Sequence, residues 1–588
     1  MSHNVPTGSL LSQLCRIVGE AFAAAGADPS LGRVVVSNRP DLGDVQSNGA
    51  FAAAKALQCA LPEFVAEIAD HLRGNPAFHD VSVAGGHLNM RLSDELLMAE
   101  SDRRLEAIRA EPMRIVIDYG GANVAKPLHV GHLRSAIIGE SLKRICRALG
   151  HEVVGDVHLG DWGLQMGMIL HELSLRRPDL PYFVPGATGP FPKESPATPE
   201  ELDELYPSAS TKSKVDPEYL ASAREATALL QKGHPGYRAL WQDIFDLSVA
   251  DLRADYEKLN VFFDLWYGES TVNDLIAPMV QQIIDRGFAY ESKGALVVDV
   301  AELGDKAEFP PLILQKTDGA VLYSTTDLAT LVLRVREINP HLVLYVVDKR
   351  QSLHFAQVYR AAWKTGIAPR EMQLEHIGFG TMNGTDGKPF KTRSGGTMKL
   401  KDLIGLVTQR AKARIAEAEV AQDLSEVERA EISRMVGIAT LKFADLSNTP
   451  TRDYIFDVDR FSSFEGRTGP YLLYTAVRGK SILRKANERG LAPGELLPPR
   501  DEVERNVLLL LSLFRDRVLS AFITRGPNEI ADYAYDLATA FSRYYHEHHI
   551  LRTDNDELRA SSLELVRRFV ATLDIALELL GIDVPERM

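Results

Sequence analysis

Cysteine is scarce: Cys15, Cys59 and Cys146 are the only three in 588 residues. They are odd in number, far apart and without metal-ligand spacing. That excludes a disulfide framework and reads as reduced thiols of a cytoplasmic protein. No run of roughly 18 apolar residues occurs, which excludes a transmembrane helix of ordinary length. The first residues, MSHNVPTGSLLSQLCRIVGEAF, lack a basic segment followed by a clean apolar stretch, so no secretory signal is expected. Positive charge is in deficit: 66 Lys and Arg stand against 80 Asp and Glu, a formal net charge of −14. This excludes a uniformly basic nucleic-acid binder. It does not exclude a local basic face on a chain this large. There is no internal repeat and no low-complexity tract.

What is present is a globular composition, 45% hydrophobic and 25% charged, at a length that suggests roughly three or four domains. Residues 1–108 read as a small α+β unit. It has a helix over 9–25 capped by Ser9, a strand at 33–38, a helical stretch at 50–73 and a strand at 87–92. Residues 109–403 read as an α/β unit. RIVIDY (114–119) is a buried strand, a loop follows at 120–132, and a helix runs to Leu149, where Gly150 stops it. EVVGDVH (152–158) and LVLYVVD (342–348) are further strands. The βαβ order puts the 120–132 loop at the carboxyl end of a parallel sheet, the usual ligand position. An insertion at about 178–260 interrupts this unit. Its first part, 178–215, is rich in Pro, Ser and Thr and is expected to be irregular. From about 404 to 588 the pattern is helical throughout.

The strongest local signal is Pro127-Leu128-His129-Val130-Gly131-His132, between strand and helix. Two imidazoles three residues apart at a helix N-terminus can both face an anion, and backbone N–H groups add partial positive charge. Gly131 admits a ligand close to the backbone. This suits a nucleotide whose α-phosphate gains charge during reaction. Two satisfied surface or core histidines, or a zinc pair, are the alternatives; His151 and His158 lie nearby but complete no metal spacing. Tyr323 and Asp327 are four apart and can share a helix face. Asp327 could equally complement a helix dipole. The segment at 387–397, GKPFKTRSGGT, alone reads as a solvated glycine-rich loop.

HVGH resembles the HIGH signature of class I aminoacyl-tRNA synthetases, and ANVAKPLHVGHLRSAIIGESL (122–142) resembles the arginyl-tRNA synthetase family in particular. The segment 387–397 lies where that family's KMSKS loop falls. The second Lys of the signature is absent, and Lys126, shortly before the histidines, occupies the place where arginyl members compensate. Other segments in family order are GDWG at 160–163, LGDVQSNGA at 42–50 and DYIFDVDRFSSFEGRTGPYLLYTAVR at 453–478. The resemblance covers nearly the whole chain apart from about 178–215. Gly120-Gly121-Ala122 stands where Ser-Ser-Pro is usual, and Val45 where an aromatic residue is common.

The resemblance implies an N-terminal additional domain (1–108), a Rossmann-like catalytic domain (109–403) and an all-α anticodon-binding bundle (404–588). It implies ATP-dependent activation of L-arginine, with Mg2+ arriving on the ATP, and transfer to the terminal adenosine of tRNA(Arg), with tRNA needed for activation. No structural metal, no membrane association, a monomer and a cytoplasmic location are expected. His129, His132, Lys126, Lys391 and Arg393 would act on the phosphates. Gly131, Gly160 and Asp161 would join them at ATP, within a motif region running from Ala122 to His132. Asp118, Asn123, Tyr323, Asp327 and Gln351 would bind arginine. Gln46 and Asn48 would touch the tRNA elbow, and Arg467, Tyr471, Tyr474, Arg478 and Met588 the anticodon. Three alternatives stay open: another class I synthetase, such as a cysteinyl or glutamyl type, a nucleotidyltransferase, and an inactive binding paralogue.

Overall fold

A computed structural model describes residues 8–103, 105, 111–192, 194–317, 319–390, 398–418 and 422–588. Lys391 and Arg393 lie outside the described residues. The first helix spans Leu10–Ala24, and the Ser9 hydroxyl accepts the Ser12 N–H as its cap. Beside it lies an antiparallel sheet in the order Val34–Val36, Val45–Ser47, His87–Leu92, Phe78–Ala84. Two of these strands escape the sequence pattern. Val45–Ser47 is three residues long, and FHDVSVA alternates poorly. The stretch at 50–73 is two helices, Ala50–Leu57 and Leu61–Leu72. Gln58 adopts a left-handed φ of 55°, and Pro62 falls in the first turn of the second helix, where its missing N–H is harmless.

The central unit is built on four parallel strands in the order Gln373–His376, Leu342–Tyr345, Arg114–Asp118, Glu152–Asp156. Alternation sorts the faces. Ile115 and Ile117 pack with helix Val130–Ala148, while Val116 and Val343 pack with helices Tyr323–Glu337 and Ser352–Thr365. From Arg114–Asp118 the chain crosses one face to Glu152–Asp156. From Leu342–Tyr345 it crosses the other to Gln373–His376. The crevice opens between these two central strands at their carboxyl ends. A separate antiparallel sheet, Ala289–Ser292, Ala295–Val298 and Leu312–Gln315, flanks the unit.

The insertion corrects the expectation of irregular chain over 178–215. Residues Pro199–Val215 are helical, followed by helices Pro217–Gln231 and Pro235–Lys258. Each begins on proline, which reads as a breaker in sequence but fits the first helical position. Thr198 and Glu201 form a reciprocal cap before the first helix, and Leu202, Leu205 and Ala209 form its buried stripe.

The C-terminal unit is helical. One exception joins it to the sheet unit: Tyr454–Ile455 pairs with Met382–Asn383. Two buried arginines tie it to the N-terminal unit. Arg505 donates to both Asp44 carboxylate oxygens at 2.9 and 2.8 Å and to the Leu92 carbonyl at 2.8 Å. Arg515 pairs with buried Glu100. The final helix, Asp556–Leu579, ends against helix Val130–Ala148: Ser141 donates to the Leu579 carbonyl at 2.8 Å and Arg144 to that of Glu578 at 3.1 Å. Among the described residues no helix is long and apolar enough to cross a membrane. Cys15, Cys59 and Cys146 are free thiols.

Replacing Arg505 by Ala leaves the Asp44 carboxylate buried without its cation, a loss of about 3–5 kcal/mol at this interface. Hydrogen exchange is expected to quicken in Val45–Ser47 and His87–Leu92 while helix Val130–Ala148 keeps its protection. Unchanged exchange in both strands would show that the ion pair does not hold the unit in place.

Candidate functional site

His129 is the N-cap of helix Val130–Ala148, and its Nδ1 accepts the Gly131 N–H at 3.0 Å. His132, one turn on, accepts the His129 N–H on its own Nδ1 at 3.1 Å. The two rings lie 3.9 Å apart, tilted by 33°. A ring nitrogen that accepts carries no proton, so in each neutral ring the proton sits on Nε2. The cap thus turns both histidines into Nε2–H donors. Burial lowers both pKa values, and the neighbouring charge of Lys126 lowers them further; His132 is pushed down to about 3. A side chain at position 131 would stand 2.7 Å from the His129 ring, so glycine is required by the cap itself.

Beside this helix end a cavity of about 200 Å3 is lined by His129, Gly131, Asp348, Phe379, Thr381 and Met382. Buried Arg134 closes its floor. It donates to Asp445 and to the Arg452 carbonyl, both at 2.9 Å, with its guanidinium over the Tyr454 ring. The segment 398–400 runs along the histidine loop: Val130 N–H donates to the Met398 carbonyl at 3.1 Å and Leu400 N–H to that of Leu128 at 2.8 Å. Lys126 lies with its ammonium over the Tyr206 ring, 3.9 Å from the centroid.

Strand register places His376, Tyr345, Asp118 and Asp156 in one row across the carboxyl ends of the sheet. Arg334, from helix Tyr323–Glu337, covers this row. Its Nη2 donates to Asp118 and to Asp156, each at 2.7 Å, and the guanidinium lies over the Tyr345 ring. Burial pushes the Asp118 carboxyl up, against the pull of Arg334 and His158. One guanidinium thus faces two carboxylates. Several buried polar atoms around it have no partner among the described residues: Arg334 Nε and Nη1, His158 Nδ1, and the hydroxyls of Tyr345 and Tyr359. Such a set requires a polar ligand or ordered water. Asp118, Asp156 and His158 place ligand-type atoms within 4.8 Å of one another, but the cation between the two carboxylates is Arg334.

Asp327 accepts from or shares a proton with His354 Nε2 at 2.6 Å. Tyr323, one turn earlier, is 74% exposed, and Gln351 is exposed one turn before His354. Asn123 lies against Gly160, whose carbonyl takes the Val124 N–H at 3.0 Å. Asp161 is turned inward: it accepts from the Ser270 N–H at 3.0 Å and its hydroxyl at 2.5 Å, so its carboxylate is spent on the chain. That contact places Glu269, which sequence reasoning did not single out. Burial raises its carboxyl, His158 opposes the rise, and the charges of Asp161 and Asp327 add to it. Glu269 lies far in sequence from the other site residues; Arg334 shares its helix with Tyr323 and Asp327, and His158 follows Asp156 by two residues and carries a local sign, a left-handed φ of 41°. Gly120 (φ 93°) is fixed by packing, because a Cβ there would lie 2.9 Å from Phe263 and 3.0 Å from the Tyr256 hydroxyl.

In the C-terminal helical unit a cavity of about 710 Å3 is lined by Tyr474, Arg478, Arg484, Lys485, Arg552 and Met588, among others. Arg478 lies over the rings of Tyr474 and Tyr545. Arg467 and Lys480 do not line it: Arg467 pairs with Asp532, and Lys480 with Asp574 and Glu586. Tyr471 bonds to the Ser542 hydroxyl at 3.1 Å. In the N-terminal unit Gln46 is half-buried in its strand, and exposed Asn48 bonds to His87 at 2.7 Å.

Residues 95–458 match the family described as tRNA synthetases class I (R), catalytic domain. Residues 472–588 match the DALR anticodon binding domain, and residues 12–92 the arginyl tRNA synthetase N terminal domain. The arginine–tRNA ligase of Alkaliphilus oremlandii is 49% identical over 587 residues, covering 98% of this chain and 100% of that protein. That of Maricaulis maris is 48% identical over 588 residues, with 99% and 100% covered. The solved structure of Thermus thermophilus arginyl-tRNA synthetase superposes with a TM-score of 0.80 at 26% identity, covering 98% of this chain and 100% of that one. With all three units matched in order and identity sustained end to end, the chain belongs to the arginyl-tRNA synthetase family.

Proposed function

We propose that the chain ligates L-arginine to tRNA(Arg), using the Mg2+ salt of ATP. The observation that carries this is a pair of neutral imidazole donors at a helix N-terminus, set beside a buried acidic pocket with unpartnered polar atoms. The first half suits a polyphosphate, the second a doubly cationic amino acid. In the first step an arginine carboxylate oxygen attacks the α-phosphorus, the bond to the bridging oxygen breaks, and pyrophosphate leaves with that oxygen. His129 and His132 donate from Nε2 to the phosphate oxygens as charge gathers there. Lys126, Lys391 and Arg393 neutralise the leaving pyrophosphate. No covalent enzyme intermediate is needed; positioning and preorganised donors lower the barrier. In the second step the 2′-hydroxyl of the terminal adenosine attacks the adenylate carbonyl, the bond from that carbon to the phosphate oxygen breaks, and AMP departs with the hydroxyl proton taken up by its phosphate.

Asp327 and Glu269 are the carboxylates offered to the guanidinium, with Tyr323 and Gln351 at the rim. Asp118 and Asn123 take the α-ammonium. The Asp118–Asp156–Arg334 group is short of one positive charge, which that ammonium supplies. Lysine lacks the planar fork and citrulline the charge, so a site built for both rejects them strongly. Tyr474, Arg478 and Met588 receive anticodon bases in the basic cavity, and Tyr471 and Arg467 brace its helices. Gln46 and Asn48 face the tRNA elbow. A cytoplasmic monomer satisfies all of these contacts.

ATP–pyrophosphate exchange across the twenty amino acids, with and without cognate tRNA, tests the whole reading. Exchange is expected with arginine alone, and only when tRNA is present; none with arginine in a folded sample would sink it. Glu269→Gln is expected to raise KM for arginine about 10- to 150-fold, the loss of a charged hydrogen bond, and to leave KM for ATP unchanged. An equal rise for both substrates would remove Glu269 from the pocket. Nitrogen-15 NMR of the histidine rings reads the tautomers. Because the folded value for His132 is about 3, against 6.5 ordinarily, the unfolded chain takes up this proton first. His132 therefore costs stability progressively as pH falls from 6.5 towards 3 and nothing above that window. The Nε2–H pattern of His132 should persist unchanged from pH 8 to pH 5, and an imidazolium signal from His132 above pH 5 would contradict the cap-imposed tautomer.

A further inference from the structure

Helix Pro199–Val215 belongs to the part of the chain that the family's motifs leave without a role. One of its faces nonetheless meets two basic segments of the phosphate site. Asp203 and Tyr206, three residues apart, share that face. Asp203 accepts from Lys399 at 2.6 Å, and Lys401 lies 3.9 Å away. Tyr206 offers its ring to the Lys126 ammonium at 3.9 Å. The two lysines come from neighbouring strands of backbone, because 398–400 is hydrogen-bonded to 128–130.

The division of partners matters. Lys399 takes the carboxylate, and Lys126 has no ion pair among the described residues. A carboxylate on Lys126 would neutralise it and would have to be displaced by phosphate. An aromatic face attracts an ammonium more weakly than a phosphate oxygen does, and it leaves the charge intact. It also removes much of the rotational freedom of the four-carbon stem before substrate arrives. The support is rigid. Thr198 and Glu201 cap the helix reciprocally, and Leu202, Leu205 and Ala209 bury its inner stripe. The loop carrying Lys126 is tied to the next part of the insertion: Ala125 N–H donates to the Ser248 hydroxyl at 3.0 Å, and Ala125 holds a left-handed φ of 56°.

We propose that Tyr206 is a positioning residue for adenylate formation, holding Lys126 ready for the ATP phosphates without neutralising it, while Asp203 keeps Lys399 engaged on the same helix. This rests on the reading of Lys126 as a phosphate contact.

Arginine-dependent exchange with saturating tRNA, in the full chain, tests it. Tyr206→Leu is expected to raise KM for ATP about 2- to 5-fold, the worth of a partly exposed cation–π contact, with KM for arginine and thermal midpoint unchanged. Tyr206→Phe, which keeps the ring, should restore the ATP value. In a Lys126→Met background, Tyr206→Leu should add nothing, because the interaction has already been removed. An unchanged KM for ATP in folded Tyr206→Leu overturns the proposal. So does a lowered one, which would make the ring a trap, or an equal effect with and without Lys126, which would make Tyr206 merely structural. If Lys126→Met alone leaves KM for ATP unaltered, the phosphate-contact reading fails instead.

Discussion

Helix Val130–Ala148 is buried on nearly every side: 14 of its 19 residues are buried, including Arg134, Glu140 and Lys143. Charges in such a place have to be matched internally. Arg134 reaches Asp445, and Glu140 meets Lys143 and Arg144 at 2.9 Å each while accepting from the Tyr119 hydroxyl. Ser135 accepts the Gly120 N–H at 2.8 Å and donates to the Val346 carbonyl at 2.6 Å, bridging the two strands that bound the crevice. The histidine end is therefore positioned from behind. Its place relative to the sheet is set by contacts with three other parts of the molecule, and the chemistry at the N-terminus inherits that rigidity.

The site divides electrostatically. On the helix side, donors are neutral imidazoles whose protonation is opposed by burial and by Lys126. On the sheet side, acidic groups outnumber their one internal cation. The helix side thus suits an anionic ligand and the sheet side a cationic one. The same logic explains how a chain of net charge −14 can present a basic cavity: the positive charge is concentrated around Tyr474 and Arg478, and the acidic excess is spread elsewhere.

Much of this was legible in the residues. The Ser9 cap, the Gly150 stop, the central strands and the histidine turn all have local causes, and local causes leave local signatures. The helices after Thr198 and Asp216 had signatures too, but a Pro-rich stretch invites the opposite reading unless each proline is placed in the first turn. Arg334 was hidden differently. Near the C-terminal end of a helix, an arginine looks like a complement to the dipole, and only the register of Asp118 with Asp156 shows that it crosses two strand ends. Glu269 owes its position to an Asp161–Ser270 contact spanning 109 residues, which no periodicity can reveal. Val45–Ser47 was too short to show alternation.

The ion pairs between the first and last units set a timetable for synthesis. Glu100 waits for Arg515, 415 residues further along the chain. At roughly 5–20 residues per second that is an interval of about 20–80 s. During it the nascent N-terminal unit carries an acidic surface patch, Asp44 and Glu100, that the finished protein conceals. Its contacts with Arg505 and Arg515 can form only after the C-terminal helices have been made, and until then Glu100 has Arg103 as its ion-pair partner within its own unit.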